Sequence, residues 1–99
     1  MDAIRMQKMI EENLNNRWIP ICEAETCEGM ITILDSTKCT FCYEIDGTCK
    51  DCPAATKEEP CVNLFARLIA AIDKNDFPAA KAAAMKMRKR IETWRADNV

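Results

Sequence analysis

Two Cys-x₂-Cys pairs, separated by six residues, constrain this chain more than any other feature of its sequence. The chain of 99 residues holds seven cysteines and no histidine, so a zinc site in it would be of the tetrathiolate kind. Pairs at this spacing are typical of a tetrahedral zinc site with sulfur ligands at about 2.3 Å. The sequence therefore predicts a zinc site whose ligands are Cys39, Cys42, Cys49 and Cys52.

The six residues between the pairs carry Asp46-Gly47 at their centre. This dipeptide is typical of the two-residue turn of a β-hairpin. A hairpin at this point folds the second cysteine pair back over the first, so we expect a short β-hairpin within a metal knuckle. The alternatives to zinc are disulfides or free thiols and an iron–sulfur cluster, because some cluster-binding runs also end in Cys-Pro, as at Cys52-Pro53.

The other three cysteines, Cys22, Cys27 and Cys61, have two interpretations. They complete a second metal site or replace a ligand of the first, or they are small buried hydrophobic residues, as free cysteines often are. The chain begins without the apolar core of a signal peptide. We therefore expect it in the reducing cytoplasm, where cysteines at such spacing bind metal more often than they form disulfides.

The segments that precede the two pairs have a mixed pattern. Apolar residues at helical spacing predict a helix over residues 3–15, and Pro20 is expected to stop it. The β-branched residues 30–34 follow Gly29 and predict a short strand.

The C-terminal part of the chain has the clearest helical pattern. One helix is expected from residue 57 or 61, and a second runs from a cap at Asp76 to about residue 95. A short polar turn joins them, which predicts an αα-hairpin. The expected apolar faces are Leu64, Phe65, Leu68, Ile69 and Ile72 on the first helix, and Ala80, Ala83, Ala84, Met87, Ile91 and Trp94 on the second.

Together these elements predict one mainly α domain, residues 1–99. It comprises an N-terminal helix in residues 1–17, a cysteine-rich metal-binding module in residues 18–61 and a helical hairpin in residues 62–95. The expected architecture is a small three-helix core into which the metal knuckle and its β-hairpin are inserted. Its apolar runs are too short to span a membrane, so no membrane partner is expected.

Charge and composition limit the chemistry that the chain can perform. Without histidine it can form neither a Ser-His-Asp nor a Cys-His catalytic site, and two glycines are too few for a Gly-rich phosphate loop. We therefore expect no enzyme and no small-molecule substrate. Residues 79–99 hold six bases and two acids, including the candidate partner-binding residues Lys86, Arg88, Lys89 and Arg90. A solvated basic face that complements the helix dipole is the simpler interpretation of this run.

The arrangement of motifs resembles a group of small cysteine-rich proteins of tailed bacteriophages and prophages. The matching features are Trp18, the two Cys-x₂-Cys pairs with Pro53, Cys61 and the helical residues 62–95. These proteins are mostly of unassigned function. The resemblance implies a setting, the cytoplasm of an infected bacterium, where small accessory phage proteins often block or redirect a larger host machine.

We therefore expect a small zinc-stabilised, non-catalytic module that binds a host or phage protein. Inhibition or redirection of a CRISPR or other defence complex is one example of such a role. A first alternative is a small nucleic-acid-binding regulator that uses the basic C-terminal helix. A second is an iron–sulfur or dithiol redox accessory protein.

Overall fold

The structure is a computed structural model that describes residues 3–37 and 61–98. Its elements are α1 (Ala3–Asn13), a π-helical turn (Leu14–Trp18), α2 (Ile19–Glu23), α3 (Cys27–Ser36), α4 (Cys61–Asp73) and α5 (Phe77–Asn98). The prediction of a mainly α fold is confirmed, and no strand occurs in these two stretches. The predicted β-hairpin around Asp46-Gly47 lies outside the described residues.

The N-terminal helix is longer than its sequence indicates. α1, the π turn and α2 follow one another without a break, and Asn13 and Trp18 at the junctions both have right-handed helical backbone angles. The N–H of Ile19 bonds to the carbonyl of Leu14, five residues back. In a regular α-helix the ring of Pro20 would clash with the carbonyl four residues earlier, and the wider π turn relieves this contact. The prediction that Pro20 stops the helix is therefore wrong.

Buried side chains follow this helix in two rows with a spacing of four residues. The rows are Met9, Asn13, Arg17 and Ile21, and Ile10, Leu14, Trp18 and Cys22. Rows at this spacing drift around a regular α-helix, which has 3.6 residues per turn. The π turn holds more residues than an α turn, so it offsets the drift. One side of the helix thus stays buried from residue 9 to residue 22.

The segment 27–36 is a helix, α3, and the predicted strand over residues 30–34 is wrong. The Oγ1 of Thr26 accepts a hydrogen bond from the N–H of Gly29 at 3.0 Å and caps the helix. Burial of Cys27, Met30 and Leu34 has the spacing of one helix face. The gain from burying this face outweighs the weak strand preference of the β-branched residues between them.

The predicted helical hairpin of α4 and α5 is confirmed. Asn75 has a left-handed backbone, with φ of 54°, and the N–H of Asp76 bonds to the carbonyl of Ala71 at 2.8 Å, which closes α4 with a Schellman motif. The side chain of Asp76 then accepts a hydrogen bond from the N–H of Ala79 at 3.2 Å and caps α5, as expected. One residue therefore ends the first helix and begins the second.

The helices share one apolar core. α4 packs along α5, α5 also contacts the N-terminal helix, and α3 contacts α2 and α4. The predicted apolar faces of α4 and α5 are confirmed, since all of their residues are buried or pack partly buried against the core. The three-helix core that we expected thus gains α3 as an additional helix. Within the described residues, no helix has both the length and the apolar composition needed to cross a bilayer.

Replacing Thr32 by alanine tests the helical state of residues 30–34. Thr32 is exposed, and its hydroxyl donates to the carbonyl of Glu28 at 2.9 Å. In a helix, alanine should raise the free energy of unfolding by up to about 0.5 kcal/mol, measured by urea denaturation.

Thr93→Ala, at an exposed position of α5, is the matched control and should have the same sign. In an exposed strand, Thr32→Ala would instead be destabilising. A loss of stability at position 32 together with a gain at position 93 would contradict a helical α3.

Candidate functional site

The predicted zinc ligands Cys39, Cys42, Cys49 and Cys52 lie outside the described residues, so zinc stays a prediction. The remaining candidate ligands, Cys22, Cys27 and Cys61, lie within them. Among the described residues, no three or more cysteine and carboxylate side chains come together in a group that could hold a metal ion.

Cys22 and Cys27 lie inside the apolar core. Cys22 is on α2 and Cys27 is the first residue of α3, and their exposed fractions are 6% and 4%. Both belong to the same cluster of buried side chains as Ile21 and Met30. Their position agrees with the second interpretation, that they are small buried hydrophobic residues. Cys61 is half-buried at the start of α4.

The thiol of Cys22 has a charged neighbour. Arg88 of α5 hydrogen-bonds to this side chain, and Lys81 is also close enough to act on it. Burial raises the pKa of the Cys22 thiol above its ordinary value of 9.0, and the two positive charges lower it by less. Cys22 is therefore a protonated, weakly reactive thiol at neutral pH.

The basic run of α5 divides between two environments. Lys86 and Lys89 are exposed, whereas Arg88 and Arg90 are half-buried. Arg88 also forms an ion pair with Glu92, with 3.5 Å between Nε and Oε2. The four candidate partner-binding residues thus do not present one uniform cationic face.

One face of α5 combines apolar and basic side chains. Ala82, Met85, Lys86 and Lys89 share it, since they are spaced by three or four residues. All four are exposed, and Met85, which we expected to lie off the buried face, is 54% exposed. We call these four residues the outer face of α5.

A second charged group, Arg17, is buried, and the sequence analysis assigned it no role. Its exposed fraction is 6%. Its Nη1 donates to the carbonyl of Thr37 at 2.8 Å and to the Oγ1 of the same residue at 3.2 Å. The guanidinium carbon lies 5.4 Å from the ring centroid of Trp18 and 5.8 Å from that of Phe65. The four-residue spacing of its buried row is the sequence signal that points to it.

The end of α3 compensates the buried charge of Arg17. Thr37 is the C-cap of α3, so Arg17 lies at the negative end of the helix dipole. The Thr37 hydroxyl also donates to the carbonyl of Ile33 at 2.7 Å, which orients its oxygen as an acceptor. Charge-assisted bonds and two aromatic faces together replace part of the hydration that the guanidinium loses.

No protein-family model, curated protein or solved structure matches this chain. The resemblance to small phage proteins therefore stays a hypothesis carried by the cysteine motif alone.

The raised pKa of Cys22 predicts how stability depends on alkaline pH. The folded protein keeps the thiol proton at pH values where the unfolded chain loses it, so stability is full below the ordinary pKa of 9.0 and falls as the pH rises above it. Cys22→Ala should make this fall shallower, measured by urea denaturation in reductant between about pH 8 and about pH 10.

Cys27→Ala is the matched control for loss of a buried sulfur, and it should keep the dependence of the wild type on pH. Equal slopes for the wild type and Cys22→Ala would show that Cys22 does not lose its proton with a raised pKa.

Proposed function

We propose that this chain is a small zinc-stabilised, non-catalytic module that binds a protein. We further propose that it serves a phage as an accessory protein that inhibits or redirects a host complex, for example a CRISPR or other defence system. The observation that carries protein binding is the outer face of α5, where Met85 is 54% exposed between basic side chains. Methionine is enriched at protein interfaces and adapts to varied partner surfaces.

The chemistry of this face favours an acidic partner. Met85 and Ala82 offer apolar area, and Lys86 and Lys89 add positive charge beside it. Charges at the rim of an interface steer association toward a surface of opposite sign. The opposite side of α5 is buried through Ala84, so partner binding does not require this helix to move.

Two observations favour this function over the alternatives. Arg88 pairs with Glu92, and Arg95 pairs with Glu11 at 2.7 Å, so carboxylates neutralise part of the positive charge that a nucleic acid would contact. The buried, protonated state of Cys22 also favours a structural rather than a redox role for this thiol.

Zinc content tests the metal-binding half of the proposal. Elemental analysis of protein purified without a metal-affinity tag should give about one or two zinc ions per chain. Cys42→Ser with Cys52→Ser should remove zinc and strongly destabilise the cysteine module, because metal binding contributes folding free energy of order 10 kcal/mol. Iron with matching sulfide would instead favour the iron–sulfur alternative, and unchanged zinc in the double variant would exclude these two ligands.

Charge reversal on the outer face of α5 tests protein binding. Tagged wild-type protein from bacterial cells should retain a specific acidic protein, identified by mass spectrometry and then purified for calorimetry. Met85→Glu with Lys89→Glu should weaken binding of that protein by about tenfold or more, since an anchor and a steering charge are both lost.

Ala66→Glu, at an exposed position of α4, is the matched control for added negative charge and should bind as the wild type does. Equal binding by the double variant and the wild type would contradict a role for the outer face of α5. If the chain instead bound duplex DNA or RNA with affinity that falls steeply as salt rises, the regulator alternative would replace the proposal.

A further inference from the structure

Arg17 contacts the chain on both sides of segment 38–60. Thr37, which accepts its hydrogen bonds, is the residue immediately before this segment. Phe65, whose ring lies 5.8 Å from the guanidinium carbon, is one helical turn beyond Cys61, the residue immediately after it. A single side chain on the N-terminal helix thus touches both ends of the part of the chain that holds the two cysteine pairs.

These contacts suit a rigid connection. Arginine presents several N–H donors in one planar group, so it can bond to a carbonyl while its face rests on an aromatic ring. Hydrogen bonds from a charged donor are stronger than those between neutral groups. With an exposed fraction of 6%, the guanidinium is also little screened by solvent.

We propose that Arg17 is a positioning residue that fixes the two ends of segment 38–60 against the N-terminal helix. Closing a long segment costs conformational entropy, and a contact that holds its ends together removes part of this cost from any event that orders the segment. Arg17 thereby raises the metal affinity of the cysteine pairs, a consequence that rests on the proposed zinc site.

Hydrogen exchange of the full-length protein, followed by mass spectrometry, tests the positioning role. Arg17→Met should speed exchange of amides in residues 34–37 and 61–65 by about tenfold or more, with smaller changes elsewhere, because local opening at these ends is no longer opposed. Arg17→Lys keeps the charge but loses the planar group. It should restore slow exchange partly in residues 34–37 and not in residues 61–65.

Two variants separate positioning from general stabilisation. Ile91→Ala removes a core side chain of α5 and should speed exchange by a similar factor across the helices. Arg95→Met removes an arginine that pairs with Glu11 and should leave residues 34–37 and 61–65 unchanged. The proposal is overturned if Arg17→Met matches the uniform pattern of Ile91→Ala or leaves both ends unchanged.

Phe65→Leu keeps the test decisive if Arg17→Met does not fold. It removes the aromatic face and should speed exchange in residues 61–65 while residues 34–37 stay protected by the bonds to Thr37. Equal changes at both ends, or none, would contradict the two separate contacts.

Metal affinity gives an independent readout of the consequence. Competition titration with Zn²⁺ should give a dissociation constant about tenfold higher for Arg17→Met than for the wild type, and an unchanged constant for Arg95→Met. Equal constants in Arg17→Met and the wild type would overturn the effect on affinity. If the wild type binds no Zn²⁺, the proposed zinc site fails, whereas the exchange experiment still decides whether Arg17 positions the two ends.

Discussion

The π turn at Leu14–Trp18 sets the frame on which the other described helices assemble. Because it offsets the drift of rows spaced by four residues, the N-terminal helix buries one side from Met9 to Cys22. α3 and α5 pack on this helix, and α4 contacts both of them. A regular α-helix through the same residues would carry one end of each row toward solvent, with Pro20 clashing against the preceding turn.

The same geometry brings a positive charge into the interior. Arg17 belongs to a buried row, so its guanidinium must find partners within the protein, and the C-terminus of α3 and the rings of Trp18 and Phe65 contact it. Burying a charge is costly unless it is paired and hydrogen-bonded. An apolar side chain would pack at this position at lower cost, which is why we connect Arg17 with the placement of segment 38–60.

The proposed function divides the molecule into surfaces with separate roles. The helices bury the thiols of Cys22 and Cys27 and present the outer face of α5, with Met85 beside two lysines. Ion pairs such as Arg88 with Glu92 limit the positive charge on the same helix. An acidic protein surface with an apolar centre therefore suits this face better than a nucleic acid, whose affinity depends on the number of free cations.

The sequence by itself determined the elements whose signals are local. The apolar stripes of α4 and α5 repeat at helical spacing, and Asp76 caps α5 through its own side chain, so both could be predicted. It also identifies the two cysteine pairs as the candidate metal site. Only the tertiary structure decided the state of residues 30–34 and the role of Arg17. β-branched residues fit a strand or a helix until neighbouring helices bury Met30 and Leu34, and a lone arginine looks solvated until Thr37 and Phe65, distant in sequence, are folded against it.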